Sequence, residues 1–94
     1  MNNTDNTTIC AVSTPFGYSG IAIVRLSGPD AIPIAETFVG TTDRKPLARQ
    51  PDRRLVHGHV LDGDRAVDEV LVSVMRAPKS YTTEDIVEVN CHGG

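Results

Sequence analysis

The chain contains no tryptophan, and its aromatic rings are two phenylalanines and two tyrosines. A core of packed rings is excluded, so whatever is buried must be aliphatic: Val, Ile, Leu and Ala. Cys10 and Cys91 are its only cysteines and have no Cys-x-x-Cys spacing, which argues against a disulfide scaffold and a structural zinc site. No apolar run approaches the roughly 20 residues that span a bilayer. Met1 to Thr8 lacks the basic and apolar regions of a secretory signal, and the expected location is the cytoplasm with no membrane contact. A GxxxxGK[ST] phosphate loop is also missing. Gly17-Tyr18-Ser19-Gly20 is glycine-rich but has neither the lysine nor the helix signature, so nucleotide hydrolysis is not expected of these 94 residues. Finally, the formal net charge is -3, whereas a domain that grips nucleic acid alone is normally basic. The densest cationic stretch, Arg44, Lys45, Arg49, Arg53 and Arg54, has Asp43 and Asp52 beside it and reads as a solvated loop.

What is present suits one small globular domain, with 39% hydrophobic residues in 94. A core this light is close to the lower limit for independent stability, and a homodimer is the simplest support. The expected division is a polar tail over residues 1–8 and one domain over 9–94. Ile9 to Ser13 reads as a first strand. Thr14 to Gly20 gathers turn formers and reads as a loop. Ile21 to Leu26 is rich in β-branched residues and bounded by Gly20 and Ser27, which marks a second strand. Ser27 offers a helix N-cap. Ala31, Ile34, Ala35 and Phe38 then share one helical face that Gly40 can end, with Pro33 awkwardly inside it. Thr41 to Arg53 reads as a polar connection. Leu55 to Leu61 and Val67 to Met75 form strands around the hairpin signal Asp62-Gly63, with Val70, Val72 and Val74 on one face. Ala77 to Asp85 reads as a loop, and Ile86 to His92 as a last strand stopped by Gly93-Gly94. The fold class is α+β: a mostly antiparallel sheet with one or two helices packed on it.

Strand alternation singles out the polar residues that could carry chemistry. Val87, Val89 and Cys91 share one face of the last strand, and Glu88, Asn90 and His92 the other. Arg25 follows Ile21 and Ile23 on one face of the second strand, where a guanidinium needs a partner or an exit to water. Two readings stand for Arg25 and Glu88. They are a salt-bridged or wet strand surface, or they serve a pterin-type ligand. In the second reading the carboxylate accepts adjacent N–H donors of the amino-pyrimidine edge, and the guanidinium meets a ring carbonyl or a tail carboxylate. His57 and His59 share a strand face, with His92 a third imidazole; a metal would need further ligands from elsewhere, and no metal site is expected. Cys91 and His92 point to opposite faces and cannot form a nucleophile–base pair. Cys10 reads as a small core residue.

At Ala11-Val12-Ser13-Thr14-Pro15, Gly20 to Ile32, Val67 to Val72, and Ala77-Pro78-Lys79-Ser80-Tyr81-Thr82-Thr83-Glu84-Asp85-Ile86-Val87-Glu88 through Cys91-His92-Gly93-Gly94, the sequence resembles the amino-terminal domain of the MnmE (TrmE) family of tRNA uridine-modification GTPases. The resemblance implies a fold similar to the folate-binding part of glycine-cleavage aminomethyltransferases. It also implies binding of 5-formyl- or 5,10-methylene-tetrahydrofolate, and homodimerisation. By matching the family's R-[IL]-S-G and T-x-E-D-x-x-E patterns, it carries the folate-contacting roles over to Arg25 and Glu88. For a full-length protein it implies GTP hydrolysis, with magnesium and potassium, in a separate later domain. It further implies action with the flavin enzyme MnmG (GidA), adding an aminomethyl-type group to the wobble uridine of tRNA. The chain is expected to be a fragment without catalytic residues of its own, with a further folate-contacting lysine beyond Gly94. Cys91 is not the family's C-terminal cysteine. Gly17-Tyr18-Ser19-Gly20, where the family commonly has G-x-G-G, and Pro33 depart from the pattern. Two alternatives remain: a folate-dependent aminomethyltransferase-like protein, and a dimerisation module that binds no folate.

Overall fold

The computed structural model describes residues 8–13, 21–77 and 84–92. Among them the elements are β1 (Ile9–Ser13), β2 (Ile21–Ser27), α1 (Ala31–Glu36), β3 (Val39–Thr41), a single 3₁₀ turn (Leu47–Arg49), β4 (Val56–Asp62), β5 (Arg65–Met75) and β6 (Ile86–His92). The strands form one sheet in the order β1-β2-β6-β5-β4-β3, and every pairing is antiparallel. The α+β class expected from the sequence is what the chain adopts. The anticipated loops over Thr14–Gly20 and most of Ala77–Asp85, the Gly17–Gly20 departure and the Gly93-Gly94 stop lie outside the described residues.

One connection decides the topology. After the β1–β2 hairpin, α1 carries the chain over one face of the sheet to the far edge, where β3, β4 and β5 return as a meander. The last strand, β6, then enters between β2 and β5. Its register sets Val24 opposite Val89, and Leu26 opposite Val87; on its other side Val72 meets Val89, and Val74 meets Val87. Period-two alternation thus places Leu26, Val70, Val72, Val74, Val87 and Val89 on one face, all buried, beneath Ala31, Ile32 and Ala35 of α1. The core is aliphatic, as the lack of rings requires. Where β4 passes β3 the strands are very close. A Cβ at Gly58 would stand 2.5 Å from the carbonyl oxygen of Gly40, so only glycine fits there.

Several local expectations are corrected. Ser27 ends β2 and does not cap the helix; Asp30 occupies the N-cap without a side-chain cap bond. Its own N–H is instead donated to Thr8 Oγ1 at 3.0 Å. Pro33 is the third helical residue, where the missing N–H would have no intrahelical acceptor, so α1 tolerates it. The helix stops at Glu36, where the Thr37 hydroxyl donates to the Ile34 carbonyl at 2.6 Å. Ile34 is exposed, and the buried stripe is Ala31, Ile32 and Ala35. Gly40 lies within β3 and does not terminate the helix. The supposed polar connection over Thr41–Arg53 contains part of β3 and the 3₁₀ turn, whose Leu47 is 1% exposed. The hairpin turn is Gly63-Asp64, one residue beyond the signal, with Asp62 opposite Arg65 and a positive φ of 63° at Gly63. Cys10 is exposed, on edge strand β1.

Leu47 plugs the core from a segment that looks polar in sequence. Leu47→Ala is expected to cost about 2–5 kcal/mol, a large part of the ~5–15 kcal/mol typical of a domain. Urea unfolding followed by circular dichroism measures it.

Candidate functional site

The face of the sheet away from α1 carries the polar alternation. In β2 and β6 the register brings Arg25 directly opposite Glu88, although 63 residues separate them along the chain. Arg25 Nε donates to Glu88 Oε2 at 2.8 Å, and Nη2 forms a second, short contact with the same oxygen. The pair is half open to solvent, with side-chain exposures of 44% for Arg25 and 18% for Glu88. Both guanidinium nitrogens use Oε2, and among the described residues no hydrogen bond to Glu88 Oε1 is present. An ionised carboxylate held by one oxygen still offers lone pairs on the other.

Beside this pair lies an open cavity of about 270 Å³, lined by Arg53, Leu55, Ser73, Met75 and Glu88. Ser73 faces Glu88 across β5 and β6, and Met75 faces Ile86, so both reach the cavity by register alone. Arg53 comes from the connection before β4. Its backbone is left-handed, with φ 63°, an uncommon state for a non-glycine residue. The surroundings hold it there. The Arg53 N–H donates to the Val74 carbonyl at 2.8 Å, and the preceding Asp52 forms a salt bridge with Arg76 at 2.5 Å. Arg76 also donates to the Ala48 carbonyl at 2.7 Å. Burial tends to raise the Asp52 pKa, but hydrogen bonds from Arg76 and its charge outweigh that and leave the carboxyl below its usual value. The cavity therefore joins a carboxylate, two apolar side chains, a hydroxyl and a guanidinium. Sequence reasoning located Glu88 and missed Arg53 and Leu55, since nothing in their local pattern reports a long-range cavity wall.

Other singled-out residues fall elsewhere. Asn90 lies on the same face as Glu88 and donates to the Leu71 carbonyl at 3.1 Å; the His92 side chain lies outside the described residues. His57 and His59 do share a face, with ring centroids 5.4 Å apart and nearly perpendicular planes. His57 Nε2 lies 2.7 Å from Glu69 Oε2, and Nδ1 lies 2.6 Å from the Thr42 hydroxyl. Among the described residues no group of three or more His, Cys, Asp or Glu side chains is gathered in a way that could hold a metal ion. Cys91 lies on the core face, where burial first, and Asp68 second, push its thiol pKa up. That is the reverse of nucleophile activation. No helix among the described residues is long and apolar enough to cross a membrane.

Comparison with known proteins adds a second line of evidence. A family described as "GTP-binding protein TrmE N-terminus" matches residues 8–94. The chain is 53% identical over 88 residues to the tRNA modification GTPase MnmE of Christiangramia forsetii, covering 94% of this chain and 19% of that protein. It is 50% identical over 93 residues to the protein of the same name from Geobacillus thermodenitrificans, covering 97% of this chain and 20% of the relative. With the Bacillus subtilis protein, also a tRNA modification GTPase MnmE, it shares 49% identity over 89 residues, which is 93% of this chain and 19% of the relative. The chain thus spans about a fifth of the length of these relatives.

Because the Arg25–Glu88 pair is partly solvated, its worth to stability is expected to be small. A double-mutant cycle of Arg25→Ala and Glu88→Ala by thermal or urea unfolding should give a coupling of about 0.5–1 kcal/mol. A coupling of several kcal/mol would make the pair a structural element of the sheet.

Proposed function

The chain belongs to the TrmE N-terminal family, and on that premise we propose that residues 9–94 are the tetrahydrofolate-binding and homodimer-forming segment of a tRNA-modification GTPase. One observation carries the folate reading: Arg25 and Glu88, named independently by strand alternation and by the family pattern, sit side by side, and Glu88 lines a cavity. The residues fit a reduced pterin. Glu88 Oε1 accepts an N–H of the amino-pyrimidine edge, while Oε2 stays held by Arg25. Leu55 and Met75 give the ring an apolar wall, and Arg53 supplies a cation for a carbonyl or tail carboxylate. When bound, 5-formyl- or 5,10-methylene-tetrahydrofolate supplies a one-carbon unit. The segment's own residues bind and orient; they provide no nucleophile or general acid for the transfer.

The dimer reading rests on exposed apolar surface. Edge strand β1 presents Ile9 at 63% and Val12 at 65% exposure, and Leu55, Val67 and Leu71 are exposed as well. A chain with one thin core and this much uncovered apolar side chain gains from a second copy. In the full-length protein the segment works alongside a GTP-hydrolysing domain and the flavin enzyme MnmG, on the wobble uridine of tRNA. A second reading is favoured by the direct pairing of Arg25 with Glu88: a cross-strand bridge within a dimerisation module that binds no folate.

Titration with 5-formyl-tetrahydrofolate, followed by calorimetry, separates the two. Saturable binding that falls at least tenfold in both Arg25→Ala and Glu88→Ala is expected. Equal binding by wild type and variants, or none by any, leaves the bridge reading. For the dimer, sedimentation velocity at tens of micromolar is expected to show a two-chain species; monomer alone would count against it.

A further inference from the structure

The open face of the sheet carries a hydroxyl with nothing to bond. Glu88 is held by Arg25, and the Asn90 amide nitrogen donates to the Leu71 carbonyl at 3.1 Å. Ser73 stands between Leu71 and Met75 on the same face of β5. Among the described residues no hydrogen bond to its hydroxyl is present. The side chain lines the 270 Å³ cavity beside Glu88. No buried side-chain polar atom among the described residues lacks a partner, so the hydroxyl opens into the cavity and not into packed protein.

Strong acceptors around this cavity are few. Arg53 can only donate through its side chain, Leu55 is apolar, and the Met75 thioether is a weak acceptor. The Glu88 carboxylate and the Ser73 hydroxyl remain. The carboxylate is half occupied: Oε2 receives both Nε and Nη2 of Arg25, which uses the two lone pairs of that oxygen. A ligand therefore meets Oε1 alone, and a bidentate clasp with one N–H on each carboxylate oxygen is closed while Arg25 keeps its place. The amino-pyrimidine edge of a pterin nevertheless presents two adjacent donors, the exocyclic amino group and the ring N–H. Oε1 takes one, and the other needs a second acceptor. Ser73 lies directly opposite Glu88 in the β5–β6 register, where facing Cβ atoms stand roughly 4.5–5.5 Å apart. Both oxygens can meet one ring edge.

The cavity beside β3 offers no such arrangement. It measures about 410 Å³, and its walls include Glu36, Val39, Thr41, Arg44, Lys45 and Leu47. Its one hydroxyl, on Thr41, already donates to the Lys45 carbonyl at 2.7 Å, and Glu36 accepts the Ala48 N–H at 3.0 Å.

We propose that Ser73 is a specificity-determining residue of the folate site, its Oγ accepting the second N–H of the amino-pyrimidine edge while Glu88 Oε1 accepts the first. The hydroxyl hydrogen is then free to turn toward water or Oε1. This inference rests on the folate reading and adds to it a contact that neither strand alternation nor the family pattern named.

The test is calorimetric titration of wild type and Ser73→Ala with two ligands, 5-formyl-tetrahydrofolate and its 2-desamino analogue, whose edge keeps only the ring N–H. Ser73→Ala is expected to weaken 5-formyl-tetrahydrofolate binding about three- to tenfold, the worth of one hydrogen bond. With the analogue, a single donor is served by Glu88 alone, and the variant should bind within about twofold of wild type. The melting temperature should not fall, since the hydroxyl removed has no partner in the protein. Equal affinity of variant and wild type for 5-formyl-tetrahydrofolate, while Arg25→Ala and Glu88→Ala lose it, would overturn the role of Ser73 and leave the folate reading standing. Parallel losses with both ligands would also overturn it, and would make Ser73 a structural residue. Absence of wild-type binding to 5-formyl-tetrahydrofolate would overturn the folate reading and this inference together.

Discussion

The entry of β6 between β2 and β5 is the constraint on which the rest depends. It closes the sheet around a strand whose inner residues, Val87 and Val89, are buried against neighbours on both sides. It also fixes the outer face, because a strand's two faces move together: a slip of one residue would turn Glu88 inward and Val87 outward. The burial of those valines is what holds Glu88 opposite Arg25. Core packing and site geometry are therefore one register, read from its two sides.

The open face of the sheet and its β3 edge each bring carboxylates and cations together. On the open face a carboxylate and a guanidinium contact one another beside Leu55 and Met75, which suits a flat, polar-edged ligand with an apolar body. At the β3 edge, Arg44 and Lys45 stand on a loop tied together by Asp43 and Gln50, with the Glu36 and Asp43 carboxylates exposed beside them. Arg76, Asp52 and Gln50 line neither cavity, yet they hold the segment from Leu47 to Arg53 that contributes to both. A short connection between strands thereby becomes structural.

How much of this was legible in the sequence depended on how local the signal was. The bounds of β1, β2 and β6 follow from β-branched alternation between turn formers, and the structure agrees with them within a residue. The Val70–Val74 face and the polar face of β6 followed the same rule. Helix α1 was harder. Ser27 has N-cap chemistry, but strand pairing with Ile86 holds it in β2, a case of tertiary context overriding a local preference. β3 is only three residues long and carries no periodicity, while Leu47 is a lone apolar residue among charges. Cys10 has core chemistry but occupies an edge. Arg25 and Glu88 were visible as polar residues on apolar strands; Arg53 was not, because its place in the cavity depends on a left-handed backbone and on Arg76.

The most direct measurement of the central claim is a set of intermolecular nuclear Overhauser effects in the complex with 5-formyl-tetrahydrofolate. Cross-peaks from ring protons of the reduced pterin to the methyl groups of Met75 and Leu55 would place the ligand beside Glu88, as the geometry requires. Cross-peaks confined to Val39 and Leu47, at the other cavity, would contradict it.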